Sequence, residues 1–502
     1  MAPPEGSPRT LAVIDIGSNS GRVVVYRYQV GGHLQILAGS RASLRLIHDL
    51  DQGHRLTKEA VDRAWEALRD FRAIAQGTGA ERLVAVATAA VRDAENGPAL
   101  IARIRKELGI EARVLSGAEE AQFGFLGAVR GLPVDHGVLF DLGGGSMQVS
   151  RFRQRRLTSS VSLPLGALRL SEAFLESDPP SSGQIKRLRE HVYAQLKQAK
   201  VAPLEPGEEL VGTGGTVRNL AKIDRRARDY PISRLHGYIV PRRRIKEITE
   251  ELASVKLKKR EQFPGLNDDR GDSVVGGGLG VLTLMELLDA PAVQVSGQGV
   301  REGLAVSLVA DALPGVPAVR ESSIAALVSR FDGWDAEQAA RRRTLAEALD
   351  AALELRPHAE VQEALRQAAT ILDIGRSIDF FDRHEHVADI VLATDLNGFS
   401  HRGIALLSAV VRSAGDEDTR AKSYAPLLTA EDEPAVARAA ALLILADDIE
   451  ERCPRGQAVS LDCQVGKDEV RVRVPTLGGW RPRTVGQRFA RAYGRKLLVT
   501  AG

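Results

Sequence analysis

The sequence predicts an α/β fold, and three observations support this prediction. Hydrophobic residues make up 44% of the chain but aromatic residues only 4%, a composition that suits helices and buried parallel strands better than an all-β sandwich. Strand-like segments are followed by an alternation of helix-like and strand-like segments. The same order of segments then starts again near His136, which indicates two halves of related architecture.

The first half begins with three predicted strands, LAVIDIG, RVVVYRYQV and LQILAGSRASLRL, which are apolar or β-branched runs bounded by turn residues. Thr57 begins a predicted amphipathic helix that continues to about Ala75. The strand RLVAVAT follows, and a helix near Gly97–Leu108 leads into the short strand ARVL.

The second half repeats this order. HGVLFDLGGGSMQVSRF contains a strand, an Asp-x-Gly turn and a second strand, and RLTSSVSLPLG supplies the third. EELVGTGGT and AVQVSGQGVREG are later segments in which a strand enters a turn. The two Asp-x-Gly turns begin at Asp15 and Asp141, which are 126 positions apart (141 − 15). Glycine-rich turns between strands are common, so coincidence is the alternative to a repeat of architecture.

The last part of the chain predicts a different structure. Leu313–Val319 contains two prolines and a glycine and predicts a linker. From Ser322 to about Glu451 the pattern is almost wholly helical, and AVSLDCQVGKDEVRVRV predicts a hairpin with Gly466 at its turn.

Charge and hydropathy exclude several classes of function. The 68 basic and 65 acidic residues nearly balance, so bulk charge gives no support for nucleic-acid binding. The beginning of the chain has no apolar core of a signal peptide, and the longest apolar stretch, Val274–Leu288, is too short to span a bilayer. Cys453 and Cys463 lack the spacing of a zinc site. We therefore expect a cytoplasmic protein without a membrane partner.

Two glycine-rich loops, DIGSNSGR and DLGGGS, are candidate phosphate sites. Successive backbone N–H groups in such turns converge on an anion. Asp15 and Asp141 end their strands at the loop mouths and would repel phosphate, so metal or water positioning is their expected task. Ordinary β-turns with Asp caps are the alternative. The candidate phosphate donors are Ser18, Asn19, Ser20, Arg22, Gly143, Gly144, Gly145 and Ser146.

SGAEEA offers a candidate general base. Ser116 and Glu119 have the spacing of a capping box, which gives Glu119 a structural task. Glu120 has no such task, and a carboxylate near a phosphate cleft can deprotonate water. On spacing alone, a solvated acid in the first turn of a helix is the more common outcome for Glu120.

Other segments could also contact anions. GTGGTVRN places Gly214, Gly215 and Thr216 at a predicted helix start, where free N–H groups suit phosphate. SGQGVREG has the same form, with Arg301 and Glu302 entering a helix. Arg92 follows the strand RLVAVA and could clamp a phosphate, although a single Arg is more often a surface charge. The clusters RFRQRR, PRRRIKE and KLKKR are predicted to be solvated faces, but as a set they could line a path for a long polyanion.

Together these motifs resemble the exopolyphosphatase / guanosine pentaphosphate phosphohydrolase (Ppx/GppA) family. The resemblance covers Leu11 to Leu308 and rests on DIGSNS, TAAVR, SGAEEA, DLGGGS, GTGGT and SGQGVREG in that order. It implies two actin-like, sugar-kinase-like (ribonuclease H-like) domains with the active cleft between them. We expect domain I at 1–130, domain II at 131–312, an all-helical HD-like domain at 320–452 and a small C-terminal α+β element at 453–502.

The same resemblance assigns residue roles. It implies that Glu120 activates water, that Arg92 contacts phosphate, and that Asp141 helps to hold Mg²⁺, with K⁺ as a further activator. Asp15, at the mouth of the first loop, is the second candidate metal ligand. The family usually has Glu where this chain has Gln148, a neutral acceptor, which weakens the expected metal site.

The helical region departs from the HD pattern. The dyad would need His at position 372, where Leu372 precedes Asp373, and only His384 and His386 remain of the usual cluster. We therefore expect this domain to act in dimerisation and along the substrate channel rather than in catalysis or metal binding.

The predicted function is that of an exopolyphosphatase, a homodimer that releases terminal phosphate from inorganic polyphosphate. Hydrolysis of the 5′ phosphate of guanosine pentaphosphate (pppGpp) on the same site is the nearest alternative. A non-catalytic nucleotide-binding regulator is another, and the Gln148 departure leaves room for it. An actin-like kinase is a third, and the pair Glu119–Glu120 argues against it.

Overall fold

The structure is a computed structural model that describes residues 9–28, 33–46, 54–310, 312–353, 358–416, 419–475, 477 and 480–501. The chain forms two compact units, the first of residues 1–228 with 234–322 and the second of residues 229–233 with 323–502. Within the described residues, none of the helices is both long and apolar enough to cross a membrane.

The first sheet of the first unit has five strands in the order β3-β2-β1-β4-β5. Both β1–β2 and β2–β3 are antiparallel, whereas β4 and β5 extend the sheet in parallel. The strands are β1 (Thr10–Ile16), β2 (Ser20–Tyr28), β3 (Leu34–Ser43), β4 (Arg82–Ala87) and β5 (Glu111–Val114). The helices are α1 (Lys58–Gly77), α2 (Ala89–Arg92), α3 (Gly97–Arg103), which continues as a π-turn over Ile104–Leu108, and α4 (Gly117–Arg130).

The second sheet has six strands in the order β10-β11-β9-β6-β7-β8. The strands are β6 (Gly137–Leu142), β7 (Met147–Arg153), β8 (Arg156–Leu163), β9 (Glu209–Gly214), β10 (Ile239–Pro241) and β11 (Ala292–Val295). The helices are α5 (Ala167–Phe174), α6 (Ser182–Gln198), α7 (Gly215–Arg226), α8 (Arg242–Ala253), α9 (Leu257–Arg260), α10 (Val274–Leu287) and α11 (Val300–Ser307), with a 3₁₀ turn at Asp268–Arg270.

The predicted repeat of architecture is confirmed by the topology. The order β3-β2-β1-β4-β5 recurs as β8-β7-β6-β9-β11. The first turn of each half closes with the same hydrogen bond, from Gly17 N to Ser20 O at 3.2 Å and from Gly143 N to Ser146 O at 3.0 Å. Because the parallel strands of each sheet end at one edge, both glycine-rich loops lie at carboxyl ends of strands, where open α/β sheets bind ligands.

The second unit is mainly helical, as predicted. Its core packs helices against the small sheet β12-β13-β14. The helices from the end of the first unit onward are α12 (Val316–Val328), α13 (Ala336–Leu353), α14 (Ala359–Ile371), α15 (Arg383–Ala393), α16 (His401–Gly415), α17 (Glu433–Glu450) and α18 (Thr484–Tyr493), with 3₁₀ turns at Leu372–Ser377, Ala421–Tyr424 and Ala430–Asp432. The strands are β12 (Asp462–Val465), β13 (Glu469–Val474) and β14 (Lys496–Ala501).

Two sequence predictions in this region have different outcomes. The hairpin is confirmed, because β12 and β13 are antiparallel and Gly466 N donates to Glu469 O at 2.9 Å. The linker prediction for Leu313–Val319 is wrong from Val316 onward, where α12 begins. Pro317 is compatible with a first helical turn, since the N–H that it lacks has no partner within the helix there.

Candidate active site

A polar cavity lies in the first unit where the carboxyl ends of strands from both sheets meet. Almost all of the residues predicted from the sequence line it. They are Asp15, Ser18, Asn19, Ser20, Arg22, Glu120, Asp141, Gly143, Gly144, Gly145, Ser146, Gly214 and Gly215. Thr88, Thr213, Arg218, Arg270 and Arg301 line it as well.

The first loop is held so that its donors face the cavity. Asn19 O accepts hydrogen bonds from Leu44 N and Arg45 N, both at 2.9 Å, and Ser18 Oγ accepts one from Ala90 N at 3.2 Å. The Nδ2 donor of Asn19 is buried and has no partner among the described residues. A buried donor without a partner is costly, and an anion in the cavity would provide its acceptor.

The second loop is held in a similar way. Gly143 O accepts from Ala167 N at 2.9 Å, and Gly144 O accepts from Leu168 N at 3.0 Å, so the start of α5 occupies the carbonyl groups of the loop. Because these carbonyl groups are engaged and Gly143 N donates to Ser146 O within the turn, Gly144 and Gly145 are the lining residues of this loop whose N–H groups suit an anion.

The third glycine loop joins β9 to α7. Gly214 has φ of +102°, a conformation that favours glycine. A Cβ on Gly215 would lie 2.8 Å from Cζ of Arg270, so only glycine leaves room for that guanidinium. Thr216, by contrast, is buried against Gly277 of α10 and lies outside the cavity wall.

Four arginines line the cavity. They are Arg22, Arg218, Arg270 and Arg301. Burial, together with the neighbouring charges of Arg218 and Arg301, lowers the pKa of Arg22 to about 9. Arg218 is fixed by hydrogen bonds to Gly214 O and Gly297 O, both at 3.0 Å. Buried cations that repel one another are the electrostatic signature of an anion site.

Three carboxyl groups face the same cavity. Burial raises the pKa of Glu120 to about 7, Arg92 opposes that rise, and Asp141 and Asp15 add to it. Burial also raises the pKa of Asp141 to about 6, with Arg218 opposing and Asp15 adding. Partial burial raises the pKa of Asp15, whose side chain is 22% exposed, and its Oδ2 lies 3.6 Å from Arg301 Nη1.

Arg92 holds Glu120 rather than lining the cavity. Its Nη1 donates to Glu120 Oε2 at 2.9 Å and to Leu115 O at 3.0 Å. The predicted capping box is confirmed at the start of α4, where Glu119 bonds Ser116. These hydrogen bonds and Arg113 lower the pKa of Glu119 to about 2. Adjacent acids thus have opposite properties, and only Glu120 is suited to accept a proton near neutral pH.

The residues fit a magnesium ion only if substrate or water supplies most of its ligands. In the described part of the chain, no group of three or more His, Cys, Asp or Glu residues is placed to hold a metal. Asp15 and Asp141 face the cavity, and Mg²⁺ is commonly held by one or two carboxylates with phosphate oxygens and water. Gln148 lies outside the cavity wall, 3% exposed, and its Nε2 donates to Ser146 Oγ at 2.9 Å.

Sequence reasoning did not single out Arg218 or Arg270. Arg218 lies in the GTGGTVRN motif one helical turn after Gly214, and this spacing was a usable signal because residues i and i+4 share a face. Arg270 follows two aspartates in a turn without any motif, so only the folded chain brings it to Gly215.

Comparison with known proteins finds a matching family model for each of the two units. A model of the Ppx/GppA phosphatase family matches residues 24–312, and a model of Ppx/GppA phosphatase, domain III, matches residues 319–476. Exopolyphosphatase 1 of Mycobacterium tuberculosis is 31% identical over 338 residues, which cover 66% of this chain and 98% of that protein. Exopolyphosphatase 1 of Mycobacterium leprae is 30% identical over 298 residues, covering 59% and 88%.

Solved structures agree. A Ppx/GppA family member from Aquifex aeolicus is 27% identical with a TM-score of 0.53, covering 60% of this chain and 97% of that one. An exopolyphosphatase from Cytophaga hutchinsonii is 25% identical with a TM-score of 0.54, covering 60% and 97%. These likenesses confirm the actin-like α/β fold with mixed sheets, and the family model of domain III adds a further domain after it.

Proposed function

The chain belongs to the Ppx/GppA phosphatase family and is a phosphoanhydride hydrolase, and from this premise we propose that it releases the terminal phosphate of inorganic polyphosphate. One observation carries the proposal. Glu120, with a pKa near 7, faces a cavity walled by two glycine-rich loops and four arginines. A proton acceptor beside an anion site is the arrangement that hydrolysis of a phosphoanhydride needs.

Glu120 acts as the general base. Its carboxylate removes a proton from a water molecule, the water oxygen bonds to the terminal phosphorus, and the bridging P–O bond breaks. The products are inorganic phosphate and a chain shorter by one phosphate, which leaves with the bridging oxygen. Arg92 binds Glu120 Oε2 and limits the rise of the Glu120 pKa, which favours the ionised form of the base. Arg92 thus acts through the base. A direct contact between Arg92 and the substrate phosphate is a second proposed role.

The loops and arginines bind the transferred phosphoryl group. The N–H groups of Gly144 and Gly145, the hydroxyls of Ser18, Ser20 and Ser146, and the Asn19 amide would surround its oxygens. Gly214 and Gly215 would contribute through the start of α7, whereas Gly143 would act through the turn that it closes and Thr216 only through its packing against α10. Arg22 and Arg218 would neutralise the charge that develops on those oxygens. Asp141 and Asp15 would hold Mg²⁺, which when bound supplies further neutralisation of phosphate charge.

The choice of polyphosphate rests on the similarity to proteins named exopolyphosphatase, since an arginine of each basic cluster already has an acidic partner. Arg151 pairs with Glu205 at 3.3 Å, Arg244 with Asp224 at 2.7 Å and Arg260 with Asp178 at 3.2 Å. Arginines that already have acidic partners provide little attraction for a polyanion. The 5′ phosphates of pppGpp would fit the same cavity.

One assay tests the proposal. Phosphate release is measured from long-chain polyphosphate and from pppGpp at equal salt, with and without Mg²⁺, and with K⁺ or Na⁺ as the monovalent ion. A higher kcat/KM for polyphosphate supports the proposal. A higher value for pppGpp makes the chain a nucleotide phosphohydrolase, and tight nucleotide binding without turnover makes it a regulator.

For the second unit we propose an HD-like, non-catalytic domain and a homodimer. Asp373, which would form the HD dyad, bonds Arg342 Nη2 at 2.7 Å and is 1% exposed, while the preceding position is the buried Leu372. A carboxylate held by a guanidinium is a poor metal ligand. Analytical ultracentrifugation of the full chain tests the dimer, and a monomer at micromolar concentration would contradict it.

A further inference from the structure

Gln148 occupies a position with a counterpart in the first half of the chain. In the hairpin β1–β2, Asp15 lies opposite Arg22, and in β6–β7, Asp141 lies opposite Gln148. In both halves the two residues are seven positions apart. Arg22 lines the cavity, whereas Gln148 lies behind it and is 3% exposed. The two equivalent positions therefore contribute to the site in different ways.

The amide of Gln148 connects three parts of the site. Its Nε2 donates to Ser146 Oγ at 2.9 Å, in the second glycine-rich loop, and to Ser162 Oγ at 3.2 Å, on β8. Ser162 lies close to Gly117 in the first turn of α4, because a Cβ on Gly117 would be 3.1 Å from the Ser162 Cβ. That helix carries Glu120.

These hydrogen bonds determine which way the Ser146 hydroxyl can donate. A serine hydroxyl has one proton. Since Ser146 Oγ accepts the hydrogen bond from Gln148, its proton is free for another acceptor, and Ser146 lines the cavity. A glutamate at position 148 could only accept, so it would draw the Ser146 proton to itself and away from the cavity.

We propose that Gln148 is a positioning residue: it holds Ser146 as a hydrogen-bond donor to the substrate phosphate, and its neutral side chain leaves the neighbouring Asp141 with one fewer anionic partner for a divalent cation than a glutamate would provide. This inference rests on the proposed function, because it assigns the phosphate that Ser146 contacts. It predicts that phosphate binding depends on Gln148 only through Ser146. It also predicts a site that binds a divalent cation weakly before substrate arrives.

A double-mutant cycle tests the first prediction. Ser146→Ala and Gln148→Met are made singly and together, and KM and kcat for polyphosphate are measured. Met keeps the volume of Gln without its donor. We expect Ser146→Ala to raise KM about tenfold and Gln148→Met to raise it about threefold, on the scale of one hydrogen bond to a charged group. The double variant should equal Ser146→Ala alone, and independent losses that multiply would overturn the proposal.

Ser160→Ala is the matched control. It removes a hydroxyl from the same strand, β8, two positions from Ser162, and Ser160 is exposed. We expect Ser160→Ala to have the same KM for polyphosphate as the wild type. A KM raised as much as in Gln148→Met would show that the effect is a general response of β8 and would overturn the proposal.

The second prediction is tested by metal binding without substrate. Mn²⁺ serves as the probe, and its dissociation constant is measured by electron paramagnetic resonance for wild type, Gln148→Glu and Gln148→Met. We expect Gln148→Glu to bind Mn²⁺ at least about tenfold more tightly, since it adds a carboxylate near Asp141, and Gln148→Met to match wild type. Equal affinity in all three folded proteins would overturn this part, and if Gln148→Glu does not fold, the cycle above still decides the role of Gln148.

Failure of the proposed function can be told from failure of this inference. If wild type releases no phosphate from polyphosphate, the proposed function is wrong. The same cycle is then read as the dissociation constant of inorganic phosphate, where the expected pattern among the variants is unchanged. If wild type is active but the losses in the cycle multiply, only the inference about Gln148 is wrong.

Discussion

Arg92 and Glu120 form an ion pair at the edge of the phosphate cavity, with 2.9 Å between Arg92 Nη1 and Glu120 Oε2. The carboxylate is 9% exposed, so burial raises its pKa, and the guanidinium limits that rise. The result is a pKa of about 7. An acid that titrates near neutral pH is ionised in a large fraction of molecules and still gains free energy by taking up a proton, which is what a general base requires.

Glu120→Gln should abolish most of the activity. Gln has the shape of Glu but cannot accept the proton of water, so we expect kcat to fall at least about 100-fold, the scale of general base catalysis. Phosphate release from polyphosphate measures it. Glu119→Gln is the matched control, because Glu119 is the neighbouring acid and serves the capping box. If Glu120→Gln retains the wild-type kcat, Glu120 is not the base.

The pH profile should move when Arg92 is removed. Wild-type kcat/KM should rise with pH through about 7 as Glu120 loses its proton. Arg92→Met removes a charge that lowers this pKa, so the rising limb should shift to higher pH. Because the substrate titrates identically with both enzymes, the difference between the profiles reports the enzyme alone. Arg113→Met removes the partner of Glu119 instead, so its rising limb should stay at the wild-type pH. An unshifted rising limb in Arg92→Met would show that Arg92 does not control the pKa of Glu120.

Local features of this site were predictable because neighbouring residues encode them. The two Asp-x-Gly turns, the capping box of Ser116 and Glu119, and the alternation of strands and helices all depend on short-range geometry. The pairing of Arg92 with Glu120 joins residues 28 positions apart on α2 and α4. This pairing depends on the parallel arrangement of β4 and β5, so no local sequence pattern predicts it.

Other parts of the site depend on tertiary structure in the same way. The departure at Gln148 is visible in the sequence, but its hydrogen bond to Ser162 follows from the register of β7 with β8, and its bond to Ser146 from the turn before β7. Thr216 belongs to a glycine motif, yet the rotation of α7 places it against α10. A motif therefore indicates which segment is near the ligand, whereas packing decides which side chain faces it.

The contributions of Glu120 and Glu119 to the stability of the fold should change with pH in opposite directions. Glu120 has a folded-state pKa of about 7 against an ordinary 4.5, so ionising it opposes folding, and the cost develops as pH rises from 4.5 to 7. At about 1.4 kcal/mol per pH unit, Glu120→Gln should stabilise the first unit by on the order of 3 kcal/mol at pH 8 and by little at pH 4. Calorimetry at the two pH values measures this.

Glu119→Gln provides the contrast. The pKa of Glu119 is lowered to about 2, so its ionised form stabilises the fold above pH 4.5, and this contribution is lost as pH falls through 2. The variant should therefore be less stable than wild type at pH 8. Should both variants shift the melting temperature in the same direction at pH 8, the assigned environments of the two acids are wrong.

Arg270→Met should weaken substrate binding. Arg270 lies against Gly215 in the cavity wall and is 8% exposed, so its charge acts on the substrate with little screening. Loss of one charge-assisted contact corresponds to about 10- to 100-fold in kcat/KM for polyphosphate. Arg243→Met is the control, since the Arg243 side chain is 78% exposed and pairs with Glu247 on the same helix. If Arg270→Met and Arg243→Met have the same kcat/KM, Arg270 does not contact the substrate.

Arg342→Met should destabilise the second unit. The Arg342 guanidinium is fully buried and bonds Asp447 Oδ1 at 2.6 Å through Nε, as well as Asp373 Oδ2 at 2.7 Å through Nη2. Removing it leaves two buried carboxylates with fewer partners, and breaking a buried pair in this way costs about 3–5 kcal/mol. Calorimetry of the full chain should show the transition of the second unit at a lower temperature.

Arg343→Met is the matched control for that experiment. It changes the neighbouring arginine, whose pair with Glu347 at 3.0 Å spans one turn on the surface of α13, and such pairs contribute about 0.3–0.5 kcal/mol. Addition of Mn²⁺ should not raise the melting temperature of the second unit in wild type, because Arg342 already occupies the space between Asp373 and Asp447. A clear rise with Mn²⁺ would show that these carboxylates bind metal and that Arg342 is not their permanent partner.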